Sequence, residues 1–586
     1  MIMSIKSKII VLVLSTILPA IFFTAHAQVV EDINKLFDAK NYDASLKGYQ
    51  SLLKKDTNNL VYKYKVGFCI LNLRMDRSKA IPYFEAVLKQ PKPKYICWFE
   101  LGRAYQYANK FDSAIYAYKK AIELGNKKEK EAVERAIETC NNAKELIKKP
   151  INVSFYNIGK KVNTEFADYY PIASPNDDML YFTSRRKGNT GNSSDADGIM
   201  TSDIYVSENK LGVFQKPKNL GVKVNTAGDE QITGITADGK KIILYYDYGG
   251  KQFGDLQISQ NPKKEFEAGK PISGGVNSTY FETAGCFNAE GTQIYFSSDR
   301  PDKNVGRNIF VSTELPDGEW SDAIAIDNIN SEFDEDFPQL SPDGLTLHFS
   351  SNGFNSMGGF DIFKSEFDTI NKVWGKPENI GFPINSSYDE ICFSTIKNGE
   401  HGYMSKIADE GNNDFDIYKV IFNDKSHGQF TIVHGLVIAG DSIKPNVKAT
   451  VYVVNKLDND TVGIYNTKYN GKFLLILPIN DYKINIETKG FDIYSQELKI
   501  DGGENFKQKD AKTFRLKSQG KTIINAPIVS PTNELKVIET PEKNDDTKYV
   551  TKIIKGKKVR VKLSVPPKQN SNNVTNKKPI PKKKKK

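Results

Sequence analysis

Between residues 28 and 150, apolar positions recur at the three- and four-residue spacing of a helix, and small residues fall where two helices would cross. The fullest unit is Trp98, Leu101, Gly102, Tyr105, Phe111, Ala114, Tyr118, Ala121. Gly102 and Ala114 let an antiparallel pair approach closely, while Tyr105 and Tyr118 fill the space between neighbouring pairs. Gly67, Ala80 and Phe84 repeat the pattern upstream, and Tyr42, Ser45 and Tyr49 mark a degenerate first unit. A helix from Lys127 to Lys148, with Glu and Lys on its outer positions, caps the stack, and Pro150 ends it.

From about Ile151 to Phe422 the pattern changes to short alternating strands that repeat every ~53 residues. The clearest copy reads Phe337-Pro338-Gln339-Leu340-Ser341-Pro342-Asp343-Gly344, then Leu347 to Ser351, then Gly359-Phe360-Asp361-Ile362-Phe363, then Trp374 and Asn379-Ile380-Gly381. Its Asp-Gly pair is a hairpin turn, so each copy makes one four-stranded unit. Third-strand counterparts stand at Asp203, Asp255, Asn308 and Asp416, which gives five copies, and a sixth would need one more. Asn157-Ile158-Gly159 with Val162-Asn163-Thr164 copies the final-strand motif but precedes the first complete repeat. The N-terminal strand is therefore expected to complete the last unit and close a ring.

Between Phe430 and Leu516, alternating runs at Ala449 to Val454, Gly471 to Leu477, Tyr482 to Glu487 and Gln496 to Ile500 predict a small antiparallel sandwich. Beyond it, Pro, Asn, Thr and Lys predominate and disorder is expected, with Tyr549 to Leu563 able to form a hairpin. At the other end, Lys6 and Lys8, an apolar run from Ile9 to Phe23, and Ala25-His26-Ala27 read as a secretory signal cut between Ala27 and Gln28. Export to the periplasm follows, without a membrane span in the mature chain.

These motifs resemble known families. The helical units match the tetratricopeptide pattern. The strand repeats resemble WD-like propellers of the TolB-like, PD type. The run Asn470-Gly471-Lys472-Phe473, Leu475, Leu477-Pro478, Tyr482, Gly490-Phe491 resembles carboxypeptidase regulatory-like domains. The expected fold is thus multidomain α + β: signal peptide 1–27, tetratricopeptide helices 28–150, a five-bladed propeller with six blades as the alternative at 151–425, a regulatory-like β-sandwich at 428–516, and a Lys-rich tail at 517–586. This order resembles OmpA-family envelope proteins associated with type IX secretion, which implies partners among envelope or secretion-machinery proteins. One departure is plain: the residues after Leu516 are too few and too polar to build the peptidoglycan-binding domain of those relatives.

Charge changes one part of this picture. The net charge is +11, but Ser518 to Lys586 holds 18 Lys/Arg against 5 Asp/Glu, leaving −2 for the residues before it. Such a division argues against a nucleic-acid-binding face and suits a tail that adheres to anionic polymer or lipid. Five cysteines without C-x-x-C spacing read as small buried hydrophobes, although a disulfide among Cys69, Cys97 and Cys140 stays open. No zinc spacing occurs among the histidines, and no cofactor is expected.

The candidate site residues come from aligning the repeats. Asp168, Glu230, Glu282, Glu335 and Glu390 fall at one equivalent position just before the first strand. Two readings stand: an acidic ring holding a cation or cationic peptide at the channel mouth, or carboxylates that accept backbone N–H bonds at unit junctions. Asp195-Ala196-Asp197-Gly198 has part of a calcium-loop series. With no Gly-x-Ser-x-Gly elbow and with repetition in every copy arguing against a unique acid and base, the expected function is a non-enzymatic protein-binding scaffold. The alternatives are a glycan- or peptidoglycan-binding envelope protein and a propeller hydrolase.

Overall fold

Asparagines cap the helices where the sequence turns from polar to periodic. Asn41 and Asn59 accept the N–H of Ala44 and Tyr62, and Asn126 forms a capping box with Glu129. The computed structural model describes residues 27–194, 200–210, 212–247, 254–262, 265–303, 306–396, 399, 401–407, 414–423, 430–440, 448–457, 459, 461–467, 471–478, 480–500, 509–517, 549–554 and 557–562. Within these lie α1 (27–38), α2 (Tyr42–Lys55), α3 (Leu60–Asn72), α4 (Ile81–Leu88), α5 (Tyr95–Tyr107), α6 (Phe111–Leu124) and α7 (Lys127–Ile147). No helix among the described residues is long and apolar enough to cross a membrane. The signal sequence before Ala27 and the run 195–198 lie outside the described residues.

In two consecutive helix pairs a glycine of the first helix faces a ring of the second, so Tyr118 packs within its own pair and not between neighbouring pairs. A Cβ at Gly67 would press on the Phe84 ring, and one at Gly102 would overlap the ring of Tyr118, which is fully buried. All five cysteines are free and buried, so no disulfide joins the helices. Burial pushes the thiols of Cys69, Cys140 and Cys286 up to about 12.

Five antiparallel sheets follow among the described residues, together forming a propeller-like body. Sheet 1 is built on Asp168–Ala173, Met179–Ser184 and Asp203–Lys210; sheet 2 on Asp229–Ile235, Lys241–Asp247 and Asp255–Gln260; sheet 3 on Glu282–Phe287, Gln293–Ser298 and Asn308–Thr313; sheet 4 on Glu335–Leu340, Thr346–Ser351 and Asp361–Asp368. Short edge strands complete each one. Sheet 5 takes Phe393–Ile396, His401–Ile407 and Phe415–Phe422, and its fourth strand is Val153–Asn157, paired antiparallel from Val153 with Phe422 to Asn157 with Tyr418. The first strands of successive sheets touch in turn, and that of sheet 5 returns to sheet 1. Ala173 N–H donates to Ser394 Oγ across this seam at 3.2 Å.

The helices dock on sheets 4 and 5 through built contacts. Arg135 of α7 donates to the carbonyls of Asn352 (2.7 Å) and Phe354 (3.3 Å) and to Ser356 Oγ (3.0 Å), with its guanidinium 4.4 Å from the Phe333 ring. Met357 is buried among α6 and α7, and Tyr107 packs on Tyr388 at 4.8 Å.

The last folded part departs from expectation in one respect. Its two sheets enclose a common core that includes Val451, Leu475, Ile484 and Phe514, but they are not wholly antiparallel. Phe430–Ala439 pairs antiparallel with Lys472–Pro478 and parallel with Lys509–Leu516, a strand lying far along the chain. In a separate unit, Tyr549–Ile554 and Lys557–Lys562 pair as a hairpin; the remainder of the tail lies outside the described residues.

Candidate functional site

Each junction between successive sheets uses the same six-residue device. An asparagine inserts its side-chain amide beside the residue that follows the Asp or Asn of the preceding third strand, accepting that residue's N–H and donating to its carbonyl. The pairs are Asn163 with Ile417, Asn225 with Ile204, Asn277 with Leu256, Asn330 with Ile309 and Asn385 with Ile362, all at 2.7–3.0 Å. The next residue, Ser or Thr, donates its N–H and its hydroxyl to the carboxylate four positions on. Those carboxylates are Asp168, Glu230, Glu282, Glu335 and Glu390.

The aligned acids thus lie where the repeats place them, each committed to its own turn. Asp168 and Glu282 also pair with Arg186 (2.5 Å) and Arg300 (2.8 Å). Burial raises Glu230 and Glu335 to about 7, and burial also lifts Glu390 well above the usual carboxylate range, where the Asp361 charge adds to the effect. Among the described residues, no group of three or more His, Cys, Asp or Glu side chains is arranged to hold a metal ion.

Nor is the ring axis an open channel at this level. Two residues beyond each acid stand Tyr170, Ile232, Ala284, Phe337 and Cys392, and all five pack into one apolar cluster. The rings of Tyr170 and Phe337 lie 4.7 Å apart. Tyr170, Phe337 and Cys392 have φ of 51°, 51° and 63°, a left-handed backbone that non-glycine residues seldom adopt, and it recurs at the same position in three copies.

A polar concavity lies beside this plug, at the junction of sheets 1 and 2. It has a volume of about 740 Å³, within the range of small-ligand sites, and is lined by Arg185, Thr201, Asp229, Gln231, Tyr246 and Gln257, among others. Its walls are fixed in advance. Arg185 pairs with Asp229 at 3.2 Å and donates to the carbonyl of Met200 at 3.0 Å. Asp229 accepts from Ser202 N–H (2.8 Å) and Oγ (2.6 Å), and Tyr246 donates to the carbonyl of Val224 (2.7 Å). Charge is balanced as well, since Lys223 at the rim faces Glu265 at 3.5 Å. Of the cleft residues, sequence reasoning had singled out only Glu230, because Arg185, Asp229 and Gln257 come from three separate segments. A second cleft, of about 690 Å³, separates sheets 3 and 4 from the sandwich, but its Trp374 and Tyr465 are buried in the flanking cores and are not open faces.

No family model matches the chain, and no curated protein does. Solved structures do match. The chain is similar to a glycosyl hydrolase from Bacteroides ovatus (10% identity, 45% of this chain, 86% of that one, TM-score 0.31). It is also similar to a thermostable family-43 glycoside hydrolase (13%, 45% and 91%, 0.30) and to a B. subtilis levansucrase mutant (9%, 46% and 88%, 0.32). These findings correct the expectation of a protein-binding scaffold and, with it, the expectation of a chain that is not an enzyme: the similar structures are described as carbohydrate-active enzymes. At these identities and TM-scores they hand over no catalytic residue.

Proposed function

We propose that the protein binds glycans through the cleft between sheets 1 and 2, and that it does so in the cell envelope. The observation that carries the reading is the cleft itself: a preorganised cavity whose Arg185 and Asp229 are already paired, leaving amides and hydroxyls, with the Glu230 carboxyl tied to its own turn, as its recognition groups. Sugars present closely spaced hydroxyls that both donate and accept, and they are held by fixed polar groups of this kind. An anionic ligand would instead call for unpaired cations. The leader sequence supports export, and the module order supports the likeness to OmpA-family envelope proteins. Five copies of the junction motif support a five-bladed propeller, the Gly67/Phe84 and Gly102/Tyr118 pairs support a tetratricopeptide array, and the Lys472 to Pro478 strand supports a regulatory-like sandwich.

The test is a glycan array probed with the full mature chain and with Gln231→Ala, followed by titration calorimetry on any hit. Binding of neutral polysaccharides by the parent chain, weakened about tenfold in the variant, is the expected result. Binding of no glycan, or binding that ignores the substitution, overturns the reading. Release of reducing ends from the same polysaccharides shows whether binding leads to bond cleavage.

A further inference from the structure

The repeat that builds the ring places a second kind of side chain on the same end, two residues before each acid. That position holds Phe166, Gly228, Tyr280, Phe333 and Tyr388, aromatic in four copies. Three of the four rings are covered by cations. Lys187 lies 5.4 Å from Phe166, Arg135 4.4 Å from Phe333 and Arg77 5.5 Å from Tyr388, the last two arriving from the helical part. The remaining two copies are different and adjacent. Gly228 has no ring and lines the polar cleft. Tyr280, one repeat further round, is 40% exposed, and among the described residues no cation covers it.

The arrangement is a polar cavity that opens where the rim aromatic is missing, followed by a rim aromatic left bare. An exposed tyrosine is an amphipathic plate: its ring takes the apolar C–H face of a sugar and its hydroxyl stays in water. Hydroxyl recognition in the cleft and ring stacking at the rim are the two halves of carbohydrate binding, and here neighbouring repeats supply one each. We propose that the glycan path runs from the cleft across Gly228 to Tyr280, whose ring stacks on a sugar ring of a neutral oligosaccharide longer than the cleft alone accommodates. This rests on the reading of the cleft as a glycan site.

The experiment is calorimetric titration of the full mature chain with neutral xylo-, arabino-, manno-, gluco- and fructo-oligosaccharides, disaccharide to hexasaccharide, against Tyr280→Ala, Tyr280→Phe and Gln231→Ala. In the parent, affinity rises with chain length for the family that binds. Tyr280→Ala removes that rise, weakening the hexasaccharide about tenfold and leaving the disaccharide unchanged, whereas Tyr280→Phe keeps it. Gln231→Ala weakens every length. If the parent binds and Tyr280→Ala keeps the full length dependence, the path to Tyr280 is overturned while the cleft reading stands. If the parent binds no neutral oligosaccharide, both fall.

Discussion

Asn163 and Ile417 are 254 residues apart, yet the Asn163 amide accepts the Ile417 N–H at 2.9 Å and donates to its carbonyl at 3.0 Å. This pair closes the ring beside the strand Val153–Asn157. It is also one of five identical pairs, the other four joining segments 21 or 23 residues apart. The contact is the same in each copy, but only this one ties the N-terminal strand to the last sheet.

Replacing Asn163 by Ala leaves two buried backbone groups of Ile417 without partners. Each unmet buried group costs about 1–3 kcal/mol. The expected loss is therefore about 2–6 kcal/mol, read as a lower unfolding midpoint in calorimetry and as faster hydrogen exchange in Val153–Asn157 and Phe415–Phe422. An unchanged midpoint would mean that the strand pairing alone holds the ring closed.

The ring's buried acids set an unusual pH dependence. Burial raises Asp361 from 3.8 to about 8, with the Asp389 charge adding to it, and burial raises Glu230 and Glu335 from 4.5 to about 7. Each folded value lies above the unfolded one, so the folded chain holds protons that the unfolded chain releases. The stabilisation is complete below about pH 4 and is lost as pH rises through about 7 to 8. The unfolding midpoint is expected to fall between about pH 5 and pH 8. Asp361→Asn, which copies the residue at the equivalent Asn308, is expected to flatten that fall. A midpoint that climbs over this range would contradict the assignment.

How much of this was legible depended on repetition. The third-strand residues Asp203, Asp255, Asn308, Asp361 and Asp416 stand at or next to the start of their strands, and the N-terminal strand completes sheet 5, because a repeated motif states its own register. The junction asparagines were equally visible as Val/Ile-Asn-Ser/Thr followed by an acid four residues after the Ser/Thr. Aligning the acids alone drew attention away from the neighbours that satisfy them. The parallel pairing of Phe430–Ala439 with Lys509–Leu516 was not legible, since nothing local distinguishes a strand that waits some seventy residues for its partner from one that hairpins at once. The cleft was hidden for a related reason: its residues come from separate segments, and its Gly228 is an ordinary glycine at a position that is aromatic elsewhere.

Arg135 is expected to hold the helical part to sheet 4. Its guanidinium satisfies the carbonyls of Asn352 and Phe354 and the Ser356 hydroxyl while lying over Phe333. Arg135→Ala deprives those carbonyls of a charged donor, a loss of about 2–4 kcal/mol, and Arg135→Lys is expected to recover little of it because an ammonium cannot span the fork. Hydrogen exchange in 352–357 rises in both variants if this is correct. Protection unchanged in Arg135→Lys would show that charge alone, rather than the fork, makes the contact.

Glu230 lines the cleft between sheets 1 and 2, and burial raises its carboxyl to about 7, the property a general acid requires. Glu335, however, is raised to the same value at a junction outside the cleft, and both bind the same turn groups through the same two oxygens. The same turn outside the cleft therefore carries a shift of this size, so the shift of Glu230 does not by itself mark a catalytic acid. Glu230→Gln keeps an oxygen to accept from Thr226 and is expected to cost about 1 kcal/mol of stability while leaving oligosaccharide affinity within about twofold. Calorimetric titration and reducing-end assays on the same variant separate the outcomes. Lost affinity would place the carboxyl against the ligand, whereas retained affinity with lost sugar release would make Glu230 the acid of a hydrolytic reaction and overturn its assignment to the fold.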